Sequence, residues 1–306
     1  MKNQKHKKNL LCFGADGQLG SEVSLQAQKI NETEEPWRFI PVTEADLDLR
    51  DNQAIQPFLE AQSPDFIINC AAYTDVEGAE ENESLAYAVN ADAVEQIALY
   101  AAKVDSPIIH ISTDYLFDGR GNQPLTPDDP VNPINVYGRS KAVGEEKLRN
   151  TTSNYIIFRT SWLFGAYGKN FVTTMLRLGQ EKDTLSVISD QFGNPTGARS
   201  LAQLIWRAFE IFTDDPDQMP RGTYHACNKP DTTWYGFAAE IFEQVRGHNW
   251  PSTLKNLQPV STEDYPSKAE RPLYTVMNCD QTETDFNYIL PEWRKELDHV
   301  IQLLTR

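Results

Sequence analysis

Leu10-Leu11-Cys12-Phe13-Gly14-Ala15-Asp16-Gly17-Gln18-Leu19-Gly20 is the stretch whose reading decides the fold. Four apolar residues in a row suit a strand buried on both faces, as in a parallel sheet. Three glycines at spacing three follow at once, and Ser21 to Ile30 then carries a helical pattern. Glycine at such positions lets the backbone approach a pyrophosphate, and the helix N-terminus behind it offers N–H groups and a favourable dipole. Gly14, Gly17 and Gly20 are therefore expected at a dinucleotide, in a Gly-x-x-Gly-x-x-Gly variant of the usual spacing. A glycine-rich turn without a ligand is the plainer reading.

Outward from that turn, strand and helix patterns alternate. A second strand, about Trp37 to Val42, ends at Thr43 and Glu44, where an adenosine ribose is expected. An acidic residue favours a free 2′-hydroxyl, whereas Thr43 leaves room for a 2′-phosphate, so NADH and NADPH both stay open. A helix over Asn52 to Ala61 leads to a strand over Phe66 to Ala72, whose small C-terminal residues let a cofactor lie across it. Glu80 to Glu83 are expected to cap one long helix running to about Lys103. The strand Pro107 to Ile111 ends in Ser112-Thr113-Asp114, and His110 within it is read as a core histidine. Tyr155 to Thr160 is a further strand. The pattern predicts an α/β fold, a Rossmann-type, doubly wound, right-handed parallel sheet. After Ser161 the alternation breaks, and Asn249 to Pro272 reads as irregular. The expected division is a dinucleotide-binding domain of 1–161 plus about 196–228, and a smaller α/β substrate-binding lobe of about 162–195 plus 229–306.

Tyr137 and Lys141 stand four residues apart in a helical pattern, hence on one face. An ammonium beside a phenol favours the phenolate, so Lys141 is expected to lower the Tyr137 pKa. By spacing alone the pair reads as two exposed helix residues. With the glycine turn and Thr113 at a strand end, it becomes a reducing site. Lys141 would hold ribose hydroxyls, Thr113 would bond the substrate oxygen, and Tyr137 would protonate the alkoxide formed by hydride transfer.

Composition narrows the classes. The 306 residues carry a formal net charge of −16, which argues against nucleic acid as a partner. No apolar run is long enough to span a bilayer. Met1 to Lys8 reads as a disordered basic tail and not as a signal sequence. Four cysteines far apart, without a Cys-x-x-Cys pair, suit reduced thiols in a cytoplasmic protein.

Six stretches carry a family resemblance: the glycine turn, Asn69 to Glu80, Ser112 to Gly119, Pro133 to Glu145, Arg159 to Gly165 and Asp190 to Gly197. They resemble the extended short-chain dehydrogenase/reductases, and within them the dTDP-4-dehydrorhamnose reductases. Trp234 to Phe237 and Arg271-Pro272 are fainter echoes. The resemblance implies reduction of a dTDP-linked 4-keto-6-deoxyhexose with NADPH or NADH. It implies Gly17, Gln18 and Leu19 at the pyrophosphate, Asp48 and Leu49 at the adenine, and Ala72, Tyr73 and Thr74 farther along the cofactor. It implies Thr113, Tyr137 and Lys141 as the catalytic set, and Asp114 and Trp162 at the sugar. Some members dimerise through a magnesium site with a Glu where Arg199 stands here, so no such metal is expected, and a monomer or weak homodimer is. Arg199 is expected to pair with an acidic neighbour instead. Leu273 stands where a small polar residue is more usual. Two alternatives remain: another nucleotide-sugar epimerase or dehydratase on this fold, or a non-catalytic regulatory subunit of a methionine adenosyltransferase.

Overall fold

The computed structural model describes residues 7–31, 36–248 and 250–305. The expected tail lies mostly outside them. Six parallel strands make the central sheet: β1 (Lys8–Phe13), β2 (Trp37–Val42), β3 (Phe66–Asn69), β4 (Ile108–Thr113), β5 (Tyr155–Thr160) and β7 (Gly222–His225), in the spatial order β7-β5-β4-β3-β1-β2. β6 (Thr184–Ile188) stands outside this sheet. The chain starts one strand in from an edge, steps to that edge with β2 and then returns past β1 to β3, so the switch point lies between β1 and β3, where ligands of such sheets bind.

Helices cover both faces. α1 (Gln18–Asn31) and α7 (Ala198–Asp214) pack on one face, burying Leu10, Val23, Phe66, Leu201 and Phe209. α2 (Asn52–Gln62), α4 (Ala93–Val104) and α5 (Val136–Thr151) cover the other, over Leu11, Ile67, Ile97, Leu148 and Ile157. A separate apolar cluster joins α6 (Phe171–Glu181), α8 (Trp234–Arg246) and α9 (Trp293–Leu304) around Phe164, Phe237 and Trp293.

The structure departs from the sequence reading in three places. The helix expected from Glu80 to Lys103 is broken: Asp75 caps a short helix α3 (Val76–Glu81), Asn82 interrupts it, and a π-turn (Ala88–Asp92) precedes α4. The strand after Asp65 stops at Asn69, because Asn69 Oδ1 takes the Ala71 N–H at 3.1 Å and turns the chain out of the sheet. The stretch read as irregular contains β8 (Asn256–Val260), paired parallel to β6. Pro259 masked it, and an edge strand tolerates a proline.

Candidate functional site

One cavity of about 900 Å³ opens over the carboxyl ends of β1, β3, β4 and β5. Gly14 has φ +70°, and a Cβ there would meet the Ala71 backbone at 2.8 Å. Only glycine fits that crossing without strain. Gly14, Gly17, Gln18 and Leu19 line the cavity, as do Asp48, Leu49, Ala72, Tyr73 and Thr74. Gly20 does not line it; a Cβ there would strike the Gly14 carbonyl, so its role is to seat α1 against the turn. Gln18 Oε1 is a buried acceptor without a protein partner. The unpaired N–H groups of the first turn of α1 sit behind the same glycines. A dinucleotide pyrophosphate fits these donors.

At the ribose end the Thr43 hydroxyl donates to Asp46 Oδ2 at 2.8 Å, while Arg50 pairs with Glu44 at 3.0 Å and Asp48 at 2.7 Å. Thr43 is therefore held by a carboxylate, not left free, and Glu44 is tied to a cation.

Asn135 begins α5: its Oδ1 accepts the Gly138 N–H at 2.8 Å, and its Nδ2 donates to the Glu270 carbonyl. Tyr137 thus sits in the first turn, with Lys141 one turn on, and both line the cavity beside Thr113. The expected tuning of the phenol is not what the structure shows. Lys141 Nζ donates to the Ile111 carbonyl at 2.6 Å and lies 3.2 Å from His110 Nε2. Tyr137 is half-buried by area because it faces the cavity, yet protein crowds its hydroxyl. Burial is the largest influence and raises its pKa above the ordinary phenol value; nearby Thr113 lowers it, and Asp114 and Tyr115 raise it further. The amine in turn is pushed down to about 8, chiefly by burial. Desolvation outweighs the pairing that spacing alone suggested.

Asp114 is buried, accepts from Thr275 Oγ1 at 2.7 Å and from Thr113 Oγ1 at 3.2 Å, and has its pKa raised to about 6 by burial. Trp162, at φ +46°, stacks on Trp234 with ring centroids 3.7 Å apart, and both line the cavity. A Cβ on Gly193 would meet the Trp162 ring at 2.7 Å, so that glycine makes room for the indole. A left-handed backbone on a bulky residue costs of order 1–3 kcal/mol, retained where the surroundings over-determine it.

Sequence reasoning gave no site role to three contributors. Asn90, in the π-turn, accepts from Tyr73 N–H at 2.9 Å and donates to the Tyr73 carbonyl and Ser140 Oγ, tying the loop after β3 to α5. The signal was a lone amide on an otherwise apolar helical face, and π-turns gather at functional sites. Trp234 was noted only within a faint family echo, with no role at the cavity it lines. Arg271, another cavity residue, donates to Glu77 Oε1 at 2.9 Å and Tyr115 Oη at 3.2 Å, and Tyr115 packs edge-on against Tyr137 with centroids 5.6 Å apart. That clasp joins α3 to a segment almost two hundred residues away, which no local pattern reveals.

Away from the cavity, Arg199 pairs with Glu296 at 2.8 Å, as expected of a cation in that place. No cluster of candidate metal ligands occurs among the described residues, and no helix among them is long and apolar enough to cross a membrane.

The model of the family described as RmlD substrate binding domain matches residues 8–306. A dTDP-4-dehydrorhamnose reductase of Escherichia coli K12 is 38% identical over 287 residues, 94% of each chain. The Bacillus subtilis spore coat polysaccharide biosynthesis protein SpsK is 35% identical over 96% of each. Among solved structures, a dTDP-4-dehydrorhamnose reductase of Clostridium acetobutylicum superposes with a TM-score of 0.87 at 37% identity, covering 97% of this chain and 100% of that one. One from Bacillus anthracis, in complex with NADP, gives 0.85 at 32%, covering 97% and 99%. A Thermus thermophilus UDP-glucose 4-epimerase, at 13% identity, shares the fold alone. With a glycine turn, a Thr113–Tyr137–Lys141 cluster and a cavity at the sheet's switch point, and with likeness along nearly its whole length, the chain belongs to the dTDP-4-dehydrorhamnose reductase family.

Proposed function

We propose that the chain reduces the 4-keto group of dTDP-4-dehydro-L-rhamnose, giving dTDP-L-rhamnose, at the expense of NADPH or NADH. The observation that carries the reading is the convergence of Thr113, Tyr137 and Lys141 on one cavity with the glycine turn. The backbone around Gly14, Gly17, Gln18 and Leu19 would hold the pyrophosphate, Asp48 and Leu49 the adenine end, and Ala72, Tyr73, Thr74 and Lys141 the nicotinamide half. A dihydronicotinamide held there would supply the hydride for the carbonyl carbon. Tyr137 then gives its phenolic proton to the developing alkoxide, and the Thr113 hydroxyl donates a hydrogen bond to the same oxygen. A phenol that starts fully protonated is the right form for that step, and burial keeps Tyr137 so. Asp114 would accept from sugar hydroxyls, and the Trp162–Trp234 stack would face the apolar side of a deoxyhexose.

We place the two lobes at 1–161 plus about 196–228, and about 162–195 plus 229–306, the second built around the Phe164–Phe237–Trp293 cluster. The four free thiols support a cytoplasmic location. The Arg199–Glu296 pair, at the position where the family resemblance implies a magnesium-binding Glu in some members, supports a monomer or weak homodimer without that metal site.

The test mixes the protein with NADPH or NADH and the 4-keto sugar nucleotide and follows nicotinamide absorbance. Turnover with at least one cofactor is expected; none with either would favour the regulatory-subunit reading. A pH profile adds a second check. With its folded pKa at about 6, Asp114 loses its acceptor charge as pH falls through 6. KM for the sugar nucleotide should then rise about tenfold per unit below that point, with kcat less affected. The linkage sign agrees with a functional group: a carboxyl raised above its unfolded value of about 3.9 costs the fold roughly 3 kcal/mol once ionised, a loss incurred as pH rises from about 4 through 6.

A further inference from the structure

Asn69 and His110 form with Lys141 a buried chain, and the proposed reaction gives the first two no part. Asn69 and His110 are register partners on β3 and β4. Asn69 Oδ1 accepts from the Ala71 N–H, which turns Nδ2 toward His110 Nδ1 at 3.2 Å. An amide N–H only donates, so Nδ1 must accept, and the proton of a neutral imidazole then sits on Nε2. The ring is neutral: it is fully buried, and desolvation holds its pKa well below the ordinary histidine value. Nε2 lies 3.2 Å from Lys141 Nζ, and Nζ donates to the Ile111 carbonyl at 2.6 Å. Two donors cannot bond to each other. Nζ therefore takes the Nε2–H on a lone pair, which an ammonium lacks.

We propose that His110, oriented by Asn69, is a positioning residue that holds Lys141 Nζ as an uncharged amine in mildly alkaline solution, so that Lys141 there takes up one solvent proton when it turns to a bound nicotinamide cofactor. The proton comes from water to Nζ, and the imidazole keeps its own on Nε2. The surroundings agree. Glu145, one turn on along α5, is committed to Arg159 and Arg149. The Cys70 thiol after β3 also acts on the amine; Tyr137 lines the same cavity, and Asp114 acts on Tyr137. The inference rests on the reductase reading for its cofactor, and on the geometry alone for its tautomer.

The full chain is tested by two readouts besides turnover. Imidazole 15N shifts of the cofactor-free protein at pH 9, with His110 identified by its absence from His110→Gln, should show the Nε2–H tautomer; the Nδ1–H tautomer overturns the proposal. Titration calorimetry with NADPH or NADH at pH 9, in two buffers of different ionisation enthalpy, should show uptake approaching one proton per cofactor. Asn69→Asp replaces the amide by an acceptor, turns the ring to Nδ1–H and leaves Nε2 to accept from an ammonium. Its uptake should fall at least about fivefold. If that variant does not fold, His110→Gln, whose amide oxygen can face Nζ, should show the same fall. Binding and turnover without proton uptake, or uptake unchanged in the folded variant, overturns this proposal alone. No cofactor binding at all overturns the reductase reading and takes this proposal with it.

Discussion

Tyr137→Phe is expected to lower kcat by about 10²–10⁴-fold, with KM for cofactor and sugar nucleotide changed by no more than about threefold. The substitution removes one oxygen and keeps the ring that packs edge-on against Tyr115. Tyr137 Oη has no part in the capping of α5, which rests on Asn135 and the Gly138 N–H. The fold should therefore survive, and the loss should fall on proton donation alone. Steady-state kinetics with both substrates varied checks it. A fall in kcat/KM carried mainly by KM would mean that the phenol only binds substrate. A fall of less than about tenfold would mean that another group delivers the proton, with the Thr113 hydroxyl the next in line.

Arg159→Leu is expected to cost about 3–5 kcal/mol of stability, because it strands the Glu145 carboxylate in the core. Glu145 is fully buried, and Arg159 Nε and Nη2 donate to it at 3.0 and 2.8 Å. Burial raises the Glu145 pKa, but the Arg159 and Arg149 guanidinium groups outweigh it, and the carboxyl lies below its ordinary value. Arg149 alone, half-exposed at the helix end, replaces little of that. At the slope usual for a chain of this size, Tm should fall by roughly 10 °C. The double replacement Glu145→Leu with Arg159→Leu should be markedly less destabilised than the single, since neither charge is left alone. Urea unfolding of the three proteins decides it; a double variant as unstable as the sum of both singles would show that the pair contributes through packing and not through charge. Because Lys141 sits one turn before Glu145, the single variant should also loosen the catalytic face of α5.

Much of this protein is legible in one dimension. The run Leu10 to Gly20 carries strand, turn and helix in eleven residues, and each part is a local preference: buried apolar residues, glycines for a close crossing, a helix start. β2 and β5 were legible for the same reason. The broken helix around Asn82 was not, because Asn82 caps by its backbone position and not by a capping side chain. β8 was hidden because its stability comes from pairing with β6, about seventy residues earlier. Within the site, every residue singled out in sequence lines the cavity except Gly20, whose work is packing.

The sequence by itself determined which side chains could meet: a parallel sheet brings strand ends to one edge, and a helical turn puts Tyr137 and Lys141 on one face. Only the tertiary structure decided what charges they carry. Burial, Asn69 and His110 set the amine; crowding sets the phenol; a remote arginine, Arg271, braces Tyr115 against it. The physical reason is that spacing is a property of the chain, whereas desolvation and hydrogen-bond direction belong to whatever folds around it.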